Sequence, residues 1–170
     1  MLEHVKPPIW RRIEVPGSTS LAELHLVIQV AMGWTNSHLY GFEIAGRSYG
    51  ETYDDAPETL LAAADHTLAD VAEAGDRFSY LYDFGDNWDH LVTVEKTRPA
   101  TPAPTIRCTA GRRNCPPEDI GGPYAFDEFL KAYADPAHPD HKHYRNWLGN
   151  NYDPTAFNLT GTNTDLARLL

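Results

Sequence analysis

The strongest structural signal in the chain is the stretch RFSYLYDFGDNWDHLVTV, residues 77–94. Aromatic side chains at positions 78, 80, 82 and 84 alternate with other residues, which is the period of a β-strand. After the link Gly85-Asp86-Asn87, a second alternation runs through positions 88, 90, 92 and 94. Two such runs around a short link that contains glycine predict a β-hairpin over about residues 77–95.

Upstream of this hairpin, the sequence predicts a strand, a helix and a second strand. Residues 8–15 alternate in the same way and end at a Pro-Gly turn. Ser20 and Glu23 have the spacing of a capping box, and apolar residues at 21, 24, 28 and 31 follow at helical spacing until Gly33. Residues 39–44 are typical of a short strand, and residues 46–57 of a loop.

Downstream segments predict mainly helices and loops. Residues 60–64 and 67–74 suggest short helical turns, residues 97–105 a proline-containing surface loop, and residues 107–122 an irregular segment rich in glycine and proline. Amphipathic spacing predicts a helix through residues 126–133, after Pro123 in the first turn. Further helices are predicted over 140–148 and 166–170.

The order of these elements predicts one α+β domain over residues 1–170, with a mixed or antiparallel sheet in which helices pack the prominent hairpin. Strands do not alternate strictly with helices, so a parallel α/β fold is disfavoured. The opening strand, helix and strand, followed by the hairpin, also suggest a β-grasp-like N-terminal half.

The composition indicates a folded, acidic, cytoplasmic protein. Hydrophobic residues make up 42% of the chain, and the formal net charge is −10 with a pI near 5.1. No apolar run is long enough to span a bilayer, and no signal-peptide pattern opens the chain. Cys108 and Cys115 are too few for a secreted disulfide framework and are expected to be reduced.

The tip of the hairpin is the first candidate for a functional site. Asp83, Asp86, Trp88, Asp89 and His90 lie within eight residues, and oxygen ligands with an imidazole could bind a divalent cation or supply a base. The alternative is structural, because Asp, Asn and Gly are the residues that tight turns use. Strand alternation also sends Asp89 and His90 to opposite faces, so the whole set cannot converge.

The second candidate is Glu118-Asp119, held between Pro116-Pro117 and Gly121-Gly122. These carboxylates could belong to a site, or they could cap the helix that begins near Pro123.

Other kinds of site have less support in the sequence. The histidines at 138, 141 and 143 fit a solvated helix face better than a zinc site, and the chain lacks the sequence motifs of a serine hydrolase or a phosphate-binding loop.

Taken together, these motifs resemble the plasmid pRiA4b open-reading-frame-three-like family, some members of which are labelled passenger proteins of an insertion element. The resemblance covers nearly the whole chain. It is carried by residues 7–13 (PPIWRRI), Leu24-His25, residues 32–34 (MGW), residues 37–39 (SHL), residues 82–90, residues 115–122 (CPPEDIGG), residues 135–138, residues 147–149 (WLG) and residues 153–157.

The resemblance implies an α+β domain of uncharacterised function from bacteria, archaea or plasmids, and it supplies no catalytic residue. Some relatives carry a transposon-resolvase label. The acidic charge and the lack of a recognisable helix-turn-helix in the sequence argue against that label for this chain.

Three functions are compatible with the sequence. The favoured one is a non-catalytic binding or accessory module linked to plasmids or mobile elements, in which Trp10, Arg12, Trp34 and Trp147 form a groove for a protein partner. The first alternative is a metal-assisted hydrolase, with Asp83, Asp86 and His90 as ligands or base and Glu118 and Asp119 across a cleft. It requires the two candidate segments to be neighbours.

The second alternative is a nucleic-acid protein that uses Arg11, Arg12, Arg112 and Arg113. A net charge of −10 repels polyanions, so this function requires the arginines to gather on one face.

No cofactor is required by the sequence, although a divalent metal fits the carboxylates. Whether the chain is an enzyme stays open at this point, and no membrane association is expected.

Overall fold

The computed structural model describes residues 1–99, 105–149 and 151–169. The proline-rich segment predicted as a surface loop falls largely outside this range. The strands are β1 (Trp10–Glu14), β2 (Tyr40–Ile44), β3 (Arg47–Gly50), β4 (Leu60–Ala62), β5 (Arg77–Tyr82), β6 (Trp88–Thr93) and β7 (Arg107–Arg112). The α-helices are α1 (Leu21–Met32), α2 (Leu68–Val71), α3 (Gly122–Ala134), α4 (His141–Leu148) and α5 (Leu159–Leu166), and a short 3-10 helix spans Ala63–Asp65.

Five strands form the main sheet in the order β4-β3-β2-β5-β6. All neighbours are antiparallel except β3 and β4, which run parallel. The predicted hairpin is confirmed as β5 and β6, and its last pair is Tyr82 with Trp88. The link therefore has five residues, 83–87, and not the three that the sequence suggested. The α+β class, with a mostly antiparallel sheet and helices packed on it, is confirmed.

The opening strand does not join this sheet. β1 pairs with β7 in a separate two-stranded ribbon, so the sheet lacks the strand on which the β-grasp-like prediction depended. β7 itself comes from a segment predicted to be irregular. One of its residues is Gly111, where a Cβ atom would lie 2.5 Å from the ring of Phe157. Glycine fits at this position of β7 because the Phe157 ring packs so closely against the strand that no side chain has room there.

Three other segments also differ from the prediction. β3 lies in the stretch predicted as a loop, and residues 60–62 form strand β4 where a helical turn was expected. The last helix spans Leu159–Leu166 and not residues 166–170. Very short strands such as β4 acquire their structure from a neighbouring strand, and pairing partners distant in sequence leave little local signal.

One face of the sheet carries the core. Phe42, Phe78, Tyr80, Tyr82 and Trp88 are all buried there, because alternate residues of each strand point to the same side. Helix α1 begins at the predicted capping box and ends at Gly33, which adopts a left-handed conformation with φ of 96°. Helix α3 adds Phe126 and Phe129 to the same core.

A closed ring of four hydrogen bonds joins three buried side chains of this core to the exposed Asn36 at its edge. The Gln29 amide donates to the Tyr80 hydroxyl (3.0 Å), which donates to Nδ1 of His25 (2.7 Å). The Nε2 of His25 donates to the Asn36 side-chain oxygen (2.6 Å), and the Asn36 backbone N–H donates to the Gln29 side-chain oxygen (3.1 Å). These directions are those of the neutral imidazole, which burial favours by lowering the pKa of His25 to about 4: Nε2 carries the proton given to Asn36, so Nδ1 accepts from Tyr80.

The polar ring connects helix α1, strand β5 and the loop before β2. Gln29 and His25 come from the helix and Tyr80 from the strand, while Asn36 belongs to the loop. The neighbouring Ser37 N–H donates to the Tyr82 hydroxyl at 3.0 Å. The loop is therefore held at a fixed position relative to the sheet, and this fixes the residue that follows, His38.

Removing the Tyr80 hydroxyl should break the polar ring. Tyr80→Phe leaves His25 Nδ1 and the Gln29 amide without partners in the core, and we expect a loss of about 1–3 kcal/mol in the free energy of unfolding. The matched control is Tyr40→Phe, because Tyr40 stacks on His25 at 3.6 Å and its hydroxyl makes no hydrogen bond with the described residues. Urea denaturation measures both, and equal losses would contradict the role of the ring.

Two buried histidines should make the fold acid-sensitive. Burial lowers the pKa of His25 to about 4 and that of His90 to about 3, whereas both titrate near about 6.5 in the unfolded chain. The unfolded state therefore binds more protons between these values, and stability falls as the pH drops below about 6.5. Each histidine contributes up to about 1.4 kcal/mol per pH unit in that window.

Urea denaturation at a series of pH values from neutral down to about 5 tests this expectation. His90→Gln should flatten the pH dependence, even if its stability at neutral pH is lower. His4→Gln is the control, since His4 is exposed. An unchanged slope in His90→Gln would show that His90 is not held neutral in the fold.

Candidate functional site

The start of β2 and the end of β5 bring three potential metal ligands to one end of the sheet. Tyr40 pairs with Tyr82, and the Asp83 N–H donates to the Leu39 carbonyl at 2.9 Å. His38 therefore lies beside Asp83 although 45 positions separate them in the sequence. Asp119, from the loop before α3, completes the group. We call His38, Asp83 and Asp119 the sheet-end cluster.

The three side chains of the sheet-end cluster are in contact. Nε2 of His38 lies 3.0 Å from Oδ1 of Asp119 and 3.5 Å from Oδ2 of Asp83. One ligand atom from each residue falls within 4.8 Å of the other two. The Asp83 side chain is 10% exposed and that of Asp119 is 72% exposed, so the cluster opens to solvent on one side.

The turn of the hairpin determines where Asp83 points. Its Oδ1 accepts the Gly85 N–H at 2.9 Å and the Asp86 N–H at 3.3 Å, which leaves Oδ2 for His38. Asp83 and Asp119 both have φ of 56°, a left-handed conformation that Asp and Asn adopt more readily than other side chains. The turn interpretation and the site interpretation of Asp83 therefore both apply, one to each carboxylate oxygen.

Asp86 holds the hairpin tip against the Glu118-Asp119 loop. Its carboxylate accepts the Gly121 N–H at 2.9 Å. At Gly122, a Cβ atom would lie 2.4 Å from the Asp86 carbonyl oxygen, so only glycine permits this approach. The two candidate segments are thus neighbours, as the hydrolase alternative requires, and Asp86 contributes the contact between them.

Glu118 has a positioning role beside the cluster. Its Oε1 accepts the Thr35 N–H at 2.7 Å and the Tyr82 hydroxyl at 3.1 Å. Burial raises the pKa of Tyr82, so its phenol stays protonated and donates. Glu118 therefore connects the loop before β2 to the loop before α3. Its carboxylate is occupied by these hydrogen bonds and is not a cation ligand in this arrangement.

Trp88 and His90 lie in the core and not at the surface of the hairpin tip. Trp88 is fully buried, and the ring of His90 packs between Tyr80 and Trp34 at centroid distances of 5.1 and 5.4 Å. Nδ1 of His90 donates to the Trp88 carbonyl at 2.8 Å, and Nε2 has no hydrogen-bond partner among the described residues. The structure therefore does not bring His90 to the carboxylates, with which the sequence analysis had grouped it.

The structure does not form the suggested groove. Its four residues, Trp10, Arg12, Trp34 and Trp147, lie in three separate places. Trp34 is buried and donates its indole N–H to the Pro116 carbonyl at 3.0 Å. Trp10 and Arg12 lie on the β1–β7 ribbon. Trp147 is 45% exposed and lines a shallow groove of about 350 Å³ together with Asp119, Ile120, His143 and Tyr144. That groove adjoins the sheet-end cluster through Asp119.

His38 is the site residue that the residue-level analysis missed. A single histidine in a loop matches no ligand spacing, and its partners are 45 and 81 positions away in the sequence. The only signal was its place in the motif Ser37-His38-Leu39, which the family resemblance included without a role.

The two cysteines carry no site. Both are buried free thiols, and burial raises the pKa of Cys115 well above its usual value, which suppresses the reactive thiolate. Among the residues that the structure describes, no helix combines the length and apolar character needed to cross a membrane.

Comparisons with known proteins agree with this architecture. A protein described as uncharacterized protein y4hQ, from Sinorhizobium fredii, is 43% identical over an alignment 169 residues long, which covers 95% of this chain and 85% of that protein. The crystal structure of a protein of unknown function, MM3350 from Methanosarcina mazei Go1, has a TM-score of 0.82 at 33% identity. The match covers 93% of this chain and 91% of that one.

The model of one protein family matches residues 1–161, nearly the whole described chain. The family resemblance found in the sequence is thereby confirmed, and the matched range contains the three residues of the sheet-end cluster. The chain belongs to the family described as plasmid pRiA4b ORF-3-like protein.

Proposed function

We propose that the chain is a binding module that holds one divalent metal ion at the sheet-end cluster and has an accessory, non-catalytic role. The observation that carries this proposal is the convergence of an imidazole nitrogen and two carboxylate oxygens within 4.8 Å of one another. These groups come from three separate segments of the chain, each held by its own hydrogen bonds.

The spacing of the three atoms suits a single ion. At a metal–ligand distance of about 2.1 Å, neighbouring ligands of an octahedral ion are about 3.0 Å apart and opposite ligands about 4.2 Å apart. The distances from His38 Nε2, 3.0 and 3.5 Å, match neighbouring positions. The 72% exposure of Asp119 leaves room for water or a ligand in the remaining positions.

The donor set indicates which metals to test. Carboxylate oxygens suit magnesium and manganese, while imidazole favours zinc, iron and other transition metals. One imidazole with two carboxylates therefore favours manganese or zinc over magnesium or calcium.

An accessory role is supported by what surrounds the cluster. The carboxylates of Asp86 and Glu118 are engaged by backbone N–H groups and a phenol, so they are not poised as a general base. The neighbouring groove is shallow. The description of the family refers to an open reading frame of a plasmid, which supports a link to plasmids or other mobile elements.

Metal binding is tested by thermal unfolding and isothermal titration calorimetry of chelator-treated protein with MnCl₂ and ZnCl₂. A metal at 100 times its dissociation constant should stabilise the fold by about 2.7 kcal/mol. Asp119→Asn should weaken binding at least tenfold while it leaves the metal-free stability almost unchanged, because Asn tolerates the left-handed backbone.

The matched control for this test is Asp89→Asn. Asp89 lies on β6 of the same hairpin and outside the sheet-end cluster, with a carboxylate oxygen 4.0 Å from Nε2 of His4. If neither metal stabilises the protein, or if both Asn variants bind equally well, the sheet-end cluster is only a set of mutual side-chain contacts around His38 and the proposal fails.

Metal-assisted hydrolysis is the second candidate function. The observation in its favour is the groove beside Asp119, where His143 and Trp147 could contact a substrate bound to the metal. If this function is present, manganese- or zinc-loaded protein should hydrolyse an activated phosphate or carboxylate ester in a metal-dependent way. His143→Ala should reduce the rate at least tenfold without loss of metal. A rate unaffected by Asp119→Asn would exclude the cluster as its origin.

A further inference from the structure

The β1–β7 ribbon carries a second surface, whose charge is opposite to that of the acidic sheet-end cluster. Residues directly opposite each other in an antiparallel pair share a face, and Trp10 is opposite Arg112 while Glu14 is opposite Arg107. Arg12 lies between Trp10 and Glu14 on the same side of β1. We call this outer side of the ribbon, with the adjoining residues 95–98, the ribbon face.

The ribbon face is a basic island on an acidic protein. It has five cationic and two anionic side chains, a net charge of +3: Arg12, Arg98, Arg107, Arg112 and Lys96, with Glu14 and Glu95. The whole chain has a net charge of −10, so the remainder has −13. The overall field that disfavours a polyanion therefore does not describe this surface.

The acids on the ribbon face organise the arginines without neutralising all of them. Glu95 binds the Arg12 guanidinium through both oxygens at 2.9 and 3.0 Å, and Glu14 pairs with Arg107 at 2.6 Å and with Arg98 at 3.6 Å. Arg112 and Lys96 have no carboxylate partner among the described residues. Arg12, Arg107 and Arg112 are exposed, so their outer N–H groups remain accessible.

The inner side of the ribbon is anchored, which makes the outer side a fixed platform. Arg11 points inward, where its Nε donates to the Ala31 carbonyl at 2.7 Å and its guanidinium stacks 4.0 Å above Phe157. Arg113 donates to the Pro8 carbonyl at 3.1 Å. Of the four arginines considered in the sequence, Arg11 is thus structural, while Arg12 and Arg112 form part of one basic face.

The ribbon face also has an aromatic ring among its cations. Trp10 is half-buried, and the Arg12 guanidinium lies 5.7 Å from its ring centroid. Nucleic-acid surfaces that bind single strands combine a basic track for phosphates with aromatic side chains on which unpaired bases stack. Arginine is suited to the phosphates because its planar N–H groups can bind two oxygens at once.

We propose that the ribbon face binds single-stranded nucleic acid, with Arg107 and Arg112 contacting phosphates and Trp10 stacking on a base. This proposal does not depend on metal binding at the sheet-end cluster. Since the rest of the surface is acidic, it repels the strand beyond the ribbon, so the bound segment is short.

Fluorescence anisotropy with a fluorescein-labelled 20-nucleotide oligothymidine tests the proposal in 50 mM NaCl with EDTA, which removes any contribution of a metal. We expect micromolar affinity that falls steeply with salt. For single strands, each phosphate contact contributes about −0.7 to the slope of log affinity against log salt concentration. Arg112→Gln should therefore reduce the size of this slope by about 0.7, and Arg112→Glu should weaken binding at least tenfold.

The matched control is Arg47→Glu, since Arg47 is an exposed arginine on β3 of the main sheet, and β2 separates that strand from the β5–β6 hairpin that leads into residues 95–98. It changes the net charge by the same amount away from the ribbon face and should change the affinity less than threefold. Absence of binding at 50 mM NaCl, or an equal effect of Arg47→Glu and Arg112→Glu, would overturn the proposal.

The same assay separates single strands from other polyanions. A duplex of equal length should bind at least fivefold more weakly, because its stacked bases are closed to Trp10, and Trp10→Leu should abolish that preference. Equal affinity for the duplex in the wild type, or equal affinity for a polyglutamate peptide, would overturn the assignment to single-stranded nucleic acid.

Discussion

The polar ring of Gln29, Tyr80, His25 and Asn36 is the constraint on which the arrangement of the sheet-end cluster depends. Its three buried side chains, those of Gln29, Tyr80 and His25, each donate and accept, so none of them can be removed without leaving an unsatisfied polar atom in the core. A purely apolar contact would hold the loop before β2 against α1 with less directional preference. The polar ring instead fixes Asn36 and thereby the direction in which His38 leaves the loop.

Around this constraint, the acidic residues at the end of the sheet separate into two groups. The carboxylates of Asp86 and Glu118 are bound by backbone N–H groups, and they join the hairpin tip and two loops into one unit. Asp83 and Asp119 keep carboxylate oxygens directed at His38. This division explains why a turn interpretation and a site interpretation of the acidic motifs were both reasonable. Asp86 and Glu118 have the structural role, and Asp83 and Asp119 have the role in the candidate site.

The sequence predicted elements whose signal is local. The capping box at Ser20, the glycine stop at Gly33 and the period-2 hairpin all follow from residues within a few positions of one another. Strand β7 could not be predicted, because it depends on pairing with β1 about 100 positions away. His90 was grouped with the carboxylates because alternation gives the period of a strand but not which side is buried. His38 was missed because its partners are brought near it only by the pairing of β2 with β5.

The same nonlocal pairing produces the charge pattern of the molecule. Arg12 and Arg112 are 100 positions apart, and each stands next to another arginine that the fold turns inward or uses to bind a carbonyl. In the unfolded chain these cations are dispersed among acids, and a charge of −10 describes the protein adequately. Pairing of β1 with β7 concentrates cations on one face, and pairing of β2 with β5 helps to bring carboxylates together at the end of the main sheet. Net charge is a property of the composition, but the affinity of a surface for an anion or a cation is set by strand pairing.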